Sequence, residues 1–202
     1  MANPNPGDAP ASGGPVAAEL ISDLAAASCI LVARGVVDAF GHVSMRHPQA
    51  PERYLMARSI APALVTPEDI LEYDLDSNPC NANGRSSFLE RFIHGEIYKA
   101  RPDIQSIVHS HSSSVIPFGL VGVQMQAMFH NAAFLAEGVP VFDIRKKFGA
   151  TDMLVSNAPK GAKPCIVIRK CFDSWCHAGL RQRTGVKRVL TARPLDWPAT
   201  GY

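Results

Sequence analysis

Two histidines separated by one residue, His109-Ser110-His111, carry the first chemical signal in the chain. The preceding run, Ile104-Gln105-Ser106-Ile107-Val108, is mostly apolar and β-branched, which predicts a strand. On a strand, side chains at i and i+2 point to the same side. Both imidazoles then face one point, an arrangement that suits a divalent metal, zinc first, with iron or manganese as alternatives. Upstream, a helix is predicted from about Phe88 to Ala100, with Leu89, Phe92, Ile93 and Ile97 as its apolar stripe. Glu90 sits at the start of that helix, off the stripe, where a catalytic carboxylate beside a metal would stand. Taken alone, the pair equally describes two histidines on a half-buried strand, and Glu90 a helix-surface glutamate.

The elements that must position these residues read as a layered α/β (α+β) domain. A helix is predicted from about Val16, with Leu20, Leu24, Ala27, Leu31 and Val32 as its stripe and Gly35 just past its end. A glycine turn at Gly41 leads into a strand through His42-Val43-Ser44-Met45-Arg46. Residues 54–59 read as a second strand. Thr66, Pro67 and Asp69 form a helix start with Thr66 as N-cap, and residues 72–76 alternate like an edge strand. A further helix is expected over 112–119 and a strand within 121–130. Arg145-Lys146-Lys147 reads as a solvated charged face.

Composition sets the class. With 202 residues, 47% hydrophobic and 19% charged, the chain is long enough for one domain with a sizeable core. A net charge of +2 gives no support to nucleic-acid or membrane-surface binding. No apolar run reaches transmembrane length. The first 15 residues lack the basic and apolar regions of a signal peptide and are expected to be a disordered leader. Five cysteines at irregular spacing make no disulfide framework and fit a reducing cytoplasm.

The central segment resembles the metal-site core of the class II aldolase/adducin family. There a helix carrying an acidic residue leads through an "IY-x-A-RPD" run into a strand ending H-[ST]-H. The matching residues are Ile97-Tyr98, Ala100-Arg101-Pro102-Asp103 and His109-Ser110-His111, and the Glu90 to His109 separation matches as well. The resemblance implies a class II aldolase-like three-layer α/β/α domain over residues 16–160, with a central, mainly antiparallel sheet. It implies Glu90 as acid/base and His109 and His111 as metal ligands, with a homo-tetramer forming the site between subunits. The family's "G-N-x-S" turn, which holds a substrate's anionic end, matches at Gly41 and Ser44, with His42 in place of the usual Asn. His130 lies in a stretch resembling one that lines the family's site. Arg58 and Arg91 are candidates for a substrate carboxylate; His94 and Glu96 read equally well as surface groups.

The residues near the acid resemble a subgroup acting on hydroxylated aromatic or ring-opened carboxylic acids. That implies a lyase breaking a C–C bond next to a carbonyl through a metal-stabilised enolate, by decarboxylation of a hydroxy-carboxylic acid in preference to retro-aldol cleavage. A non-catalytic domain for oligomerisation or binding, or an inactive remnant, is the alternative.

Residues 161–202 depart from the family. The stretch 160–202 holds nine of the 20 Lys+Arg but two of the 18 acids, and both tryptophans. His177 stands at about the distance of the family's third metal histidine, without the flanking "RGHG". Two explanations stay open: real divergence, with His177 completing a three-histidine site, or a tail outside the family's reading frame. Cys171 and Cys176 are a third possibility for holding metal.

Overall fold

The computed structural model describes residues 9–130, 132, 138, 139, 141, 143–149, 154 and 155. Helix α1 spans Ala18–Ala33, followed by strands β1 (His42–Arg46), β2 (Arg53–Ala57) and β3 (Ile70–Asp74). Helix α2 (Arg91–Ala100), strand β4 (Ser106–His109) and the short helices α3 (Ile116–Val121) and α4 (Arg145–Phe148) complete the described elements. Two 3-10 turns, Pro62–Leu64 and Pro67–Asp69, lead into β3.

The four strands form one antiparallel sheet in the order β3-β2-β1-β4. Side-chain alternation splits the core between its two faces. On one face Val43, Leu55, Ala57 and Ile70 pack with Leu24 and Ala25 of α1. On the other, Tyr54, Met56, Leu71 and Tyr73 pack with Tyr98 of α2, with Phe88, Ile104 and Ile107 around them. A helix on each face of an antiparallel sheet gives the expected three-layer α/β/α arrangement.

Local rules set the ends of the elements. Helix α1 ends in a left-handed Gly35 (φ 66°), and the amides of Gly35 and Val36 close onto the carbonyls of Val32 and Leu31. Asp69 accepts from the backbone amide and hydroxyl of Thr66, closing the capping box. Helix α2 stops at Ala100 because Pro102 cannot continue it and holds Arg101 in an extended conformation (φ −135°).

Some expectations are corrected. The leader expected to be disordered through residue 15 is docked from residue 11 onward. Ser12 Oγ and Gly13 N donate to the Glu72 carboxylate at 2.5 and 2.6 Å, and the Ala11 carbonyl accepts from Arg53. The buried Glu72 needs those donors, which is what holds the segment down. Strand β3 starts two residues before the predicted 72, and residues 122–128 are irregular where a strand was expected. Residues 161–202, with His177, Cys171 and Cys176, lie outside the described residues.

Candidate functional site

The cross-strand register builds the site. In the β1–β4 pair His42 lies opposite His109, and Ser44 opposite Ile107. Alternation puts His42, Ser44 and His109 on the α2 face. His111 follows two residues after the strand's end and turns back. Its Nε2 lies 3.0 Å from Nε2 of His109. Glu90 sits at the N-cap of α2, and its side chain makes no capping hydrogen bond. Its Oε2 is 3.2 Å from His109 Nε2 and 4.0 Å from His111 Nε2. Glu90, His109 and His111, predicted to act together, are therefore brought together.

Burial raises the Glu90 carboxyl's pKa, but the hydrogen bond and charge of His109, with the Val155 amide at 3.3 Å, outweigh it. The carboxyl is held below its ordinary range and is ionised at neutral pH. It can accept a proton or face a cation.

These donors fit a divalent cation. Ligands of one cation at ~2.1 Å lie roughly 3–3.5 Å from one another, and the nitrogens and carboxylate oxygen above stand at 3.0, 3.2 and 4.0 Å. His111 Nδ1 donates to Asp38 Oδ2 at 3.2 Å, which leaves Nε2 with a lone pair facing the site. Asp38 is itself fixed, accepting from the amides of Phe40 and Gly41 at 2.9 and 3.0 Å. Desolvation is the largest single influence and raises its pKa, but those amides and His111 together outweigh it and lower it.

Behind the site, polar groups that the sequence does not connect are joined in a buried chain. His42 Nδ1 is 2.8 Å from His94 Nε2. His94 Nδ1 is 2.6 Å from Ser44 Oγ, which is 2.8 Å from the Tyr98 hydroxyl. The His42 ring stacks on His109, centroids 4.8 Å apart. One ligand-type atom each from His42, Glu90 and His109 fall within 4.8 Å of one another. Burial first, then His94 and His109, pushes the His42 pKa well below the histidine range, and burial followed by His109 takes His94 to about 3. His94, read as equally well a surface group, is fully buried.

The five expected substrate contacts have the following protein partners. Ser44 Oγ is committed to His94 and Tyr98. The Gly41 amide is taken by Asp38, and a Cβ there would collide with Val37, so the glycine serves packing. Arg58 pairs with Asp69 at 2.6 Å, bracing the turn before β3. Arg91 is buried, donating to the carbonyls of Ser77 and Phe88 at 2.8 and 2.9 Å. His130 is exposed with its ring against Phe129, 6.3 Å between centroids. The two arginines are held by backbone carbonyls or a nearby acid, partners that a linear sequence does not display. Asp38, which the sequence reading passed over, had a signal: an Asp three residues before a Gly turn is an Asx-turn pattern.

Comparison with known proteins places this geometry. The family model of the Class II Aldolase and Adducin N-terminal domain matches residues 22–170, a match that ends before His177. The chain is 37% identical over 150 residues to the decarboxylase tropJ of Talaromyces stipitatus, covering 72% of this chain and 55% of that protein. It is 30% identical over 165 residues to a 3,4-dihydroxyphthalate decarboxylase of Arthrobacter keyseri, covering 72% of this chain and 64% of that one. The chain thus spans less than two thirds of both relatives. Among solved structures, an L-fuculose 1-phosphate aldolase from Glaciozyma antarctica shares the fold at a TM-score of 0.56 and 21% identity, over 78% of this chain and 63% of that one. With the sheet, the histidine pair and the acid in place, the chain belongs to the class II aldolase and adducin N-terminal domain family.

Proposed function

We propose that the protein is a divalent-metal-dependent lyase that breaks a C–C bond next to a carbonyl, releasing CO₂ from a hydroxy-carboxylic acid in preference to an aldehyde. The observation that carries the reading is the convergence of His109 Nε2, His111 Nε2 and the ionised Glu90 carboxylate within 4.0 Å. Two similar proteins bear decarboxylase names, which supports the choice of CO₂ as the leaving fragment.

His109 and His111 would hold the cation, zinc in first place, with His177 proposed as the third nitrogen. When bound, the cation supplies Lewis-acid stabilisation of negative charge developing on a substrate oxygen. Glu90 does the proton work: ionised and in reach of both imidazoles, it takes a proton from a substrate hydroxyl or water and returns it to carbon. Asp38 keeps His111 oriented, and β1 and β4 hold the two sides of the site in register. Assembly as a homo-tetramer and a cytoplasmic setting belong to the same proposal; the odd cysteine count supports the latter. Among the described residues no helix is long and apolar enough to cross a membrane.

Metal content by elemental mass spectrometry is the test, on the wild type beside His109→Ala, His111→Ala and His177→Ala. About one metal per chain, lost in the first two variants, is the expected result, with turnover of a hydroxy-carboxylic acid as its companion. Loss in His177→Ala places the tail in the site; retention there removes His177 from the ligand set. No metal in any of the four proteins sinks the lyase reading in favour of a non-catalytic domain.

A further inference from the structure

The buried chain behind the site decides what His42 can offer. It comprises two neutral imidazoles and two hydroxyls, each with one mobile hydrogen, joined by three hydrogen bonds: His42 to His94, His94 to Ser44 and Ser44 to Tyr98. Three of the four hydrogens fill those bonds, so one is left over. Its position depends on which way the bonds run.

If His42 Nδ1–H donates inward, His94 donates to Ser44, Ser44 to Tyr98, and the spare hydrogen ends on the Tyr98 hydroxyl. Tyr98 is 1% exposed, and that hydroxyl has no second partner among the described residues. If both His94 and Tyr98 donate to Ser44, the spare hydrogen is on Ser44, which is 0% exposed with no third partner among them. Either arrangement buries a donor with nothing to accept it, a costly state. The remaining arrangement has none. Tyr98 donates to Ser44, Ser44 to His94 Nδ1, His94 Nε2–H to His42 Nδ1, and the spare hydrogen stands on His42 Nε2. That nitrogen has no partner among the described residues and belongs to the ring stacked on His109.

We infer that His42 presents a fixed Nε2–H hydrogen-bond donor to the site beside Glu90 and His109, and is not a metal ligand despite its place in a three-residue cluster with ligand spacing. A ligand needs a lone pair at Nε2, and the buried chain puts a hydrogen there. The same chain makes His42 a poor proton source. Giving the proton away and drawing a replacement through His94 and Ser44 would leave a phenolate on buried Tyr98, whose pKa burial raises well above the tyrosine range. His42 is therefore placed to donate a hydrogen bond to a substrate oxygen, such as a carboxylate, without transferring the proton. This deepens the metal-site reading and rests on it for the catalytic consequence; the tautomer itself does not depend on it.

The test has two arms. Long-range proton–nitrogen correlation spectra of the full-length chain, metal-free and zinc-loaded, report which nitrogen of His42 carries hydrogen. The expected result is Nε2–H in both; hydrogen on Nδ1 overturns the inference without any variant having to fold. In the second arm, His42→Asn and His42→Leu are compared with His109→Asn for zinc content and turnover. Both His42 variants should keep zinc at wild-type stoichiometry while His109→Asn loses it. Turnover should fall at least 10-fold in His42→Leu and recover within a few-fold in His42→Asn, which restores an N–H. Zinc loss in both His42 variants, matching His109→Asn, overturns the inference. A wild type that binds no zinc refutes the metal reading instead, and the tautomer spectrum still decides His42.

Discussion

At the residue scale, Asp38 and Glu90 separate two jobs that carboxylates do beside a cation. Asp38 is anchored by two amides and touches only the far nitrogen of His111, so it orients a ligand. Asp38→Asn should weaken metal binding by about 10–100-fold, as loss of such an orienting partner typically does, measurable by competition with a chromogenic chelator. An unchanged affinity would show that His111 needs no orientation. Glu90 is held by His109 and one amide and points into the site. Glu90→Gln should lower kcat by roughly 10²–10⁴-fold, read from initial rates at saturating substrate; a variant as fast as wild type removes Glu90 from the chemistry. The sequence showed Glu90, His109 and His111 because their types and spacing are unusual. It hid His94 because Arg91, His94 and Tyr98, at i, i+3 and i+7 of α2, are polar residues on a buried face. Periodicity assigns buried faces by apolar residues and reads such a polar stripe as solvent-facing.

At the element scale, α2 is pressed so close to the segment after β3 that one of its residues can have no side chain. A Cβ on Gly95 would meet the Leu75 carbonyl and the Ser77 hydroxyl, and the carbonyl is backbone that cannot swing aside. Gly95→Ala should therefore destabilise the fold by about 1–3 kcal/mol of overpacking, despite alanine's better helix propensity, as a drop in the urea midpoint. An increase would mean the helix sits further from the sheet. Arg46 ties the same helix to β1 from the other end, donating to the carbonyls of Tyr98, Arg101 and Ile104 at 2.9, 3.0 and 3.0 Å. The elements themselves were legible: the glycine after α1, the Thr66–Asp69 capping box and the alternation of β1 and β2 all act locally. The docking of residues 11–14 was not, because its partner Glu72 is about 60 residues away and nothing in the local sequence names it.

At the scale of the whole molecule, buried titratable groups on the α2 face set the pH range of stability. His94 falls from the ordinary histidine value near 6.5 to about 3 on burial. The unfolded chain binds that proton first, so stability is fully present above about pH 6.5 and is lost as pH falls toward the folded value. Tyr73 moves the opposite way, pushed up by burial to about 12, and Tyr54 and Tyr98 are also raised. Their contribution is intact below about pH 10 and is lost as pH rises through the folded values. Urea midpoints against pH should give a plateau between these limbs, with the acid limb flattened in His94→Gln. A slope unchanged by that variant would assign acid lability to other groups. The sheet that carries these groups has unlike margins. Along β3 the outer backbone is already answered: Asp74 N reaches the Asn78 carbonyl at 3.0 Å, Cys80 N the Glu72 carbonyl at 2.8 Å, and Asn81 accepts from Glu72 N at 3.0 Å. Along β4 no strand is paired on the outer side among the described residues. Among the described residues one margin is sealed and the other is open to a further strand. Any strand that joins it, from the rest of this chain or from a neighbouring copy, comes to lie alongside His109.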